Sequence, residues 1–138
     1  MEITPTLEWA AGRKHGVLIT NRKDGRSQSS DVVYAVIDGV IKVSLTDDRA
    51  KTRNMRRDDR IVFHITDPAS WSYASIDATV ELSPVTTDPA DATGDELVSI
   101  YRAVAGEHDD WDDFRAAMVS EGRLVARIVP NSVTGQIH

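Results

Sequence analysis

The stretch SDVVYAVIDGVIKVSLT, residues 30–46, decides the fold. Two runs rich in β-branched residues, which suit a pleated surface, flank the pair Asp38-Gly39. That pair tolerates the positive φ angles of a type I′ turn, so the segment predicts a β-hairpin with a two-residue loop. On its second strand Ile41, Val43 and Leu45 share one face, and Lys42, Ser44 and Thr46 share the other. One face is apolar and core-forming; the other is polar.

Similar signals flank the hairpin. HGVLIT (15–20) predicts a buried strand, and NRKDGRS a turn at Gly25. RIVFHIT (60–66) predicts a strand ending in the turn DPAS. WSYASIDATVELS (71–83) alternates throughout. Ser72, Ala74, Ile76, Ala78, Val80 and Leu82 form a small apolar face, while Trp71, Tyr73, Ser75, Asp77, Thr79 and Glu81 form an aromatic-to-polar one. RLVARIV (123–129) predicts a last strand, stopped by Pro130.

Helices are predicted over Thr6 to Lys14, with Thr6 as cap, and from a capping box at Thr93 and Glu96 to Gly106. Another starts at Asp109 or Asp110, with Trp111, Phe114 and Met118 on its buried face. The expected fold is mainly β: a six-stranded antiparallel split β-barrel with helices packed outside, as one domain over residues 1–138.

Composition narrows the function. No apolar run approaches the length that crosses a bilayer, and the N-terminus lacks the basic-then-apolar pattern of a secretory signal, so a cytoplasmic protein is expected. The absence of cysteine removes disulfides, thiolate metal sites and a cysteine nucleophile. Four scattered histidines show no ligand spacing, EHDDWDD lacks the spacing of a calcium loop, and no metal site is expected. No GxSxG, GxGxxG or P-loop motif occurs.

Charge is unevenly spread. The net charge is −6, and residues 88–121 hold ten acids against two arginines. Yet DDRAKTRNMRRDDR (47–60) concentrates Arg49, Lys51, Arg53, Arg56, Arg57 and Arg60 in two or three predicted helical turns. Arg49, Arg53, Arg56 and Arg60 fall along one stripe, with Lys51 and Met55 facing away. An acidic chain is a poor nucleic-acid binder, so a compact anion is the expected partner. Two readings stay open here. The segment is a solvated face whose arginines pair with Asp47, Asp48, Asp58 and Asp59. Alternatively, it is a phosphate site in which Arg49, Lys51 and the helix start converge, with Thr52 as a hydroxyl donor. Trp71 and Tyr73 likewise read as an outer face covered by a helix or second subunit, or as a stacking wall for a flat cofactor.

Three segments, SLTDDRAKTRNMRRDDR (44–60), WSYA (71–74) and IYRAVAGEHDDWDDFRAAM (100–118), together resemble the split β-barrel flavin/deazaflavin oxidoreductases. This is the wider clan of pyridoxamine phosphate oxidase, and the resemblance is greatest to the actinobacterial branch that binds coenzyme F420. It runs from Gly16 to Gly135. The resemblance implies a homodimer with two equivalent cofactor grooves between subunits. Arg49 and Lys51 would grip the cofactor phosphate, with Thr52 and Asn54 as neutral donors. Ser44 would lie near the ribityl-like chain, Gln28 and Ser30 at the ring edge, and Trp71 with Tyr73 would come from the other subunit. This chain has GRSQ, with Ser27, where relatives often have GRPQ. It ends at His138 without the arginine-bearing segment that holds substrate in pyridoxamine phosphate oxidases, so that activity is not expected.

The implied function is an F420-dependent reductase that passes a hydride from reduced deazaflavin to a small organic acceptor. An FMN-binding oxidoreductase on the same barrel, or a non-catalytic F420 carrier, are the alternatives. No membrane or nucleic-acid partner is expected.

Overall fold

The computed structural model describes all of residues 1–138. The chain runs α1 (Ile3–Ala11), β1 (His15–Asn21), β2 (Ser27–Val33), β3 (Ala35–Ile37), β4 (Val40–Thr46), α2 (Ala50–Arg57), β5 (Arg60–Asp67), β6 (Ser72–Leu82), α3 (Ala92–Ala105), α4 (Trp111–Ser120) and β7 (Arg123–Gln136). One antiparallel sheet holds every strand, in the order β2-β1-β5-β6-β7-β4-β3.

The hairpin forms as the sequence predicts. Asp38 and Gly39 take φ of 53° and 74°, and Ile41, Val43 and Leu45 are buried. The strand before it does not run straight, however. It breaks at Tyr34, so the sheet has seven strands rather than the six expected. Residues before the break pair with β1 and those after it pair with β4. Tyr34 is the corner. Its ring is buried edge-on against Phe63 at 5.3 Å, and its hydroxyl donates to the Ala10 carbonyl at 2.7 Å. Burial pushes the phenol pKa up to about 12. The two outermost strands of the sheet are therefore one chain segment bent in the middle. The barrel closes through this corner, which leaves a slit between β2 and β4.

The core is the barrel interior. Leu18, Ile41, Val43, Leu45, Phe63, Ile65, Ile76, Leu124 and Ile128 are among its strand-borne members, and α1 adds Leu7 and Ala10. A second, smaller cluster of Leu97, Val98, Ile100, Phe114, Ala35 and Val125 seats α3 and α4 on the outside.

Several predicted boundaries move. The first helix covers Ile3–Ala11 rather than Thr6 to Lys14. Thr6 lies within it, wholly buried, its hydroxyl turned back to the Glu2 carbonyl at 2.7 Å instead of capping. The predicted Thr93–Glu96 box is replaced by Asp91, whose carboxylate accepts from the Gly94 amide at 2.7 Å. Thr93 donates to the Pro84 carbonyl, and Glu96 is drawn to Lys42 and Arg127 of the sheet. Asp110 caps α4, as one of the two expected candidates.

Pro130 does not end the last strand, which continues to Gln136. Past Ile128 that strand has lost its β4 neighbour, and opposite Asp77 and Ala78 the ladder bulges, so no bond depends on the missing proline N–H. Close approach of β6 and β7 is locked by Gly135. A Cβ there would lie 2.3 Å from the Tyr73 carbonyl oxygen.

Candidate functional site

The basic segment divides into two groups. Only residues 50–57 are helical; Arg49 is the N-cap and Arg60 already belongs to β5, so the expected four-arginine stripe is broken up. Arg56 pairs with Asp47 and Arg60 with Asp58. The Arg60 guanidinium and amide hold the Asp58 carboxyl well below the usual carboxylate range. Arg53 donates to the Asp48 carbonyl, and Arg57 to the Asn54 side chain at 2.9 Å and the Asn21 carbonyl at 3.2 Å. Arg56 and Arg60 thus pair with acids as the solvated-face reading has it, whereas Arg53 and Arg57 are held by carbonyl and amide oxygens instead.

Arg49 and Lys51 differ. Arg49 is exposed and touches only the Thr46 hydroxyl, at 3.3 Å. Lys51 is half-buried and pairs with no carboxylate. Burial first, then the charges of Arg49 and Arg123, lower its ammonium pKa. A partly dry lysine between two cations is electrostatically incomplete, and an anion would complete it.

Lys51 stands in a cleft of about 540 Å³ at the slit of the barrel. Asp31, Val32 and Val33 of β2 form one lip and Val43 and Ser44 of β4 the floor. Leu97, Ile100, Tyr101 and Val104 of α3, with Phe114 and Met118 of α4, make an apolar wall. Arg123, at the start of β7, closes the polar end. Its guanidinium reaches the Ser44 hydroxyl at 3.4 Å and is bound by Glu121 at 3.0 Å.

The two neutral donors of the segment point inward. Thr52 is wholly buried and donates its hydroxyl to the Thr46 carbonyl at 2.8 Å, bracing the loop that presents Arg49. Asn54 is buried and its amide donates to the Thr20 hydroxyl at 3.1 Å and the Gln28 side-chain oxygen at 2.9 Å. Gln28 is thereby held through its oxygen. Ser30, half-buried two residues on, pairs with Leu18 across β1–β2 and sits on the same edge.

Trp71 and Tyr73 are elsewhere. They line a separate hollow of about 510 Å³ with His64, Thr66, Asp67 and Gln136, sharing no residue with the Lys51 cleft. Trp71 is 82% exposed and holds a left-handed backbone, φ 57°. Tyr73 stacks on His64 at 5.8 Å between ring centres. No helix of this chain covers them. Nor is any helix long and apolar enough to cross a membrane.

The sequence places all nine residues in one cofactor site; the structure sets Ser44 and Lys51 in one cleft with Arg49 beside Lys51, joins Gln28 to Asn54 separately, and keeps Trp71 and Tyr73 apart. Sequence reasoning misses Arg123 and the α3–α4 wall. Arg123 reaches Ser44, 79 positions away, through the pairing of Thr46 with Arg123 across β4–β7, which no local pattern signals.

No family model matches the chain. Solved structures do. A conserved hypothetical protein from Mycobacterium tuberculosis superposes with a TM-score of 0.78 at 22% identity, over 98% of this chain and 84% of the other. A protein named as an F420 reductase gives 0.70 at 23%, over 92% and 94%. A putative pyridoxamine 5'-phosphate oxidase from Listeria innocua gives 0.65 at 17%, over 96% and 94%. Proteins named for FAD binding, heme storage and heme binding share the architecture as well. The chain thus has the split-barrel fold of the pyridoxamine phosphate oxidase-like proteins.

Proposed function

We propose that this protein binds coenzyme F420 and passes a hydride from its reduced form to a small organic acceptor. A cofactor-binding, oxidoreductase-like role fits a fold shared with a named F420 reductase and a FAD-binding protein. One observation carries the proposal to specific residues. In a segment whose other arginines are held by carboxylates or by carbonyl and amide oxygens, Arg49 touches only a hydroxyl and Lys51 has no hydrogen-bond partner, and they flank the first turn of α2. Two free cations beside unpaired backbone N–H groups fit a phosphate.

In this reading Arg49 and Lys51 hold the cofactor phosphate. Thr52 and Asn54 take supporting roles, fixing α2 against β4, β1 and β2. Ser44 offers a hydroxyl at the floor, and Gln28 and Ser30, on β2 before the lip residues Asp31–Val33, are assigned to the ring edge. The cofactor, when bound, supplies the hydride chemistry. The chain's share is to bind, orient and exclude water. The cleft lining holds no histidine, and its one carboxylate, Asp31, is on the exposed lip.

We further propose a homodimer. Trp71 is a large ring left almost bare, and it lies in a different hollow from Lys51. A second copy would cover it and bring an aromatic wall to the phosphate end.

The test is titration of the purified full chain with F420 and FMN, followed by absorbance and fluorescence, with heme as a third arm. Saturable F420 binding, tighter than FMN and weakened in Lys51→Ala, supports the proposal. Tighter FMN moves the assignment to a flavin oxidoreductase. Binding of F420 without acceptor-dependent loss of reduced-cofactor absorbance moves it to a carrier.

A further inference from the structure

We infer that the cleft between the slit and the α3–α4 wall is a subsite for a small organic acid with an apolar body. That this acid is the hydride acceptor rests on the function proposed above; that the cleft binds it does not.

A phosphate grip needs a few donors and no apolar wall, yet this cleft has one. Leu97, Ile100 and Phe114 are buried, and Tyr101, Val104 and Met118 are half-buried around a space of about 540 Å³. That lies within the range of roughly 300–1,000 Å³ that takes a drug-sized ligand. The polar groups gather at one end: Ser44, Lys51 and Arg123. Nε and Nη2 of Arg123 are held by Glu121, while Nη1 has only the long contact to Ser44. Lys51 carries three N–H donors, so it can lie between two anions, a phosphate on the Arg49 side and a headgroup on the Arg123 side. The single carboxylate of the lining, Asp31, lies on the exposed lip and opposes a second negative charge on the ligand. The complementary ligand is therefore a monoanion with an apolar ring or chain; a cation meets Arg49, Lys51 and Arg123.

Decanoate and decanol serve as probes of the full-length protein, read by methyl NMR shifts of Ile100 and Met118 and by calorimetry. Decanoate is expected to bind once per chain, moving both methyls. Decanol is expected about tenfold weaker, the equivalent of one charge-assisted hydrogen bond. Arg123→Ala should bring the two probes level. Met118→Trp should fill the cleft and abolish both while leaving F420 affinity unchanged. If that variant melts early, Val104→Phe replaces it, and the wild-type shifts still decide. Absent or non-saturable shifts, equal affinity for acid and alcohol, or undiminished decanoate binding in the filled variants would overturn the inference. So would one-for-one displacement of decanoate by F420, which would make the cleft part of the cofactor's own site. Decanoate binding without F420 binding removes the proposed function and leaves the subsite; the reverse removes the subsite alone.

Discussion

Asn54 donates through its side-chain amide to the side-chain oxygen of Gln28 at 2.9 Å, tying the helix of the basic segment to the far edge strand of the barrel. The same amide holds Thr20, and its oxygen accepts from Arg57. Asn54→Leu strands three partners at once. It is expected to cost about 1–3 kcal/mol, the range for buried groups left unpaired. Denaturant unfolding measures it. Gln28→Ala should cost less, and the double variant should cost less than the sum, because the two share one bond.

Lys51→Ala should weaken cofactor binding by about 1–3 kcal/mol, and Arg49→Ala by a similar amount. Arg56→Ala removes the same charge but only a surface pair with Asp47, and should cost about 0–1 kcal/mol. Titrating the three variants at low and physiological salt separates a local grip from a diffuse field. Equal losses in all three would mean a diffuse field and remove Arg49 and Lys51 as specific ligands.

Much of this architecture is legible in the sequence because it is local. The Asp38-Gly39 turn, the alternation of residues 71–83 and the Asp110 cap each depend on neighbours within a few positions. The break at Tyr34 is not local. It depends on the Ala10 carbonyl and the Phe63 ring, so a continuous β-branched run reads as one strand. The segment 47–60 shows the same division. Its composition identifies it as the place to look, but only the fold separates Arg56 and Arg60, which have acids beside them, from Arg49 and Lys51, which do not. Arg123 is invisible beforehand, since strand register places it.

Asp91 predicts a pH response. Burial opposes its ionisation, but the amides of Thr87, Gly94 and Asp88 and the Thr86 hydroxyl outweigh that and hold its pKa at about 2, below the ordinary 3.8. A depressed carboxylate contributes stability that is full above its unfolded value and lost as pH falls through its folded one. The contribution should fade between pH 3.8 and about 2. Asp91→Ala should cost about 1 kcal/mol at neutral pH, as for loss of a helix cap. It should also flatten the acid limb of a thermal-melt series over that window.

Gly135→Ala should be among the most damaging substitutions. The added methyl meets the Tyr73 carbonyl, a backbone atom that cannot swing aside, and φ at this position is +150°. A loss of about 3 kcal/mol or more is expected, at the upper end for a single change. Chemical denaturation checks it.

Light scattering is expected to give twice the chain mass of 15.2 kDa at micromolar concentration. Trp71→Ala should weaken both self-association and F420 binding if, as proposed, the ring serves the partner's groove. A monomeric parent, or weakened association with unchanged cofactor affinity, would detach Trp71 from the site.

The bend at Tyr34 has a bearing on how such a protein can change over evolutionary time. The aperture of the slit is fixed by a covalent corner, so its two banks cannot drift apart by losing a ladder rung. Adaptation to a new ligand must then come from the bulk of residues such as Val104 and Met118, which face the opening from helices outside the barrel. Those positions can vary without disturbing strand pairing. Durable frame and adaptable lining are thus carried by different parts of the chain.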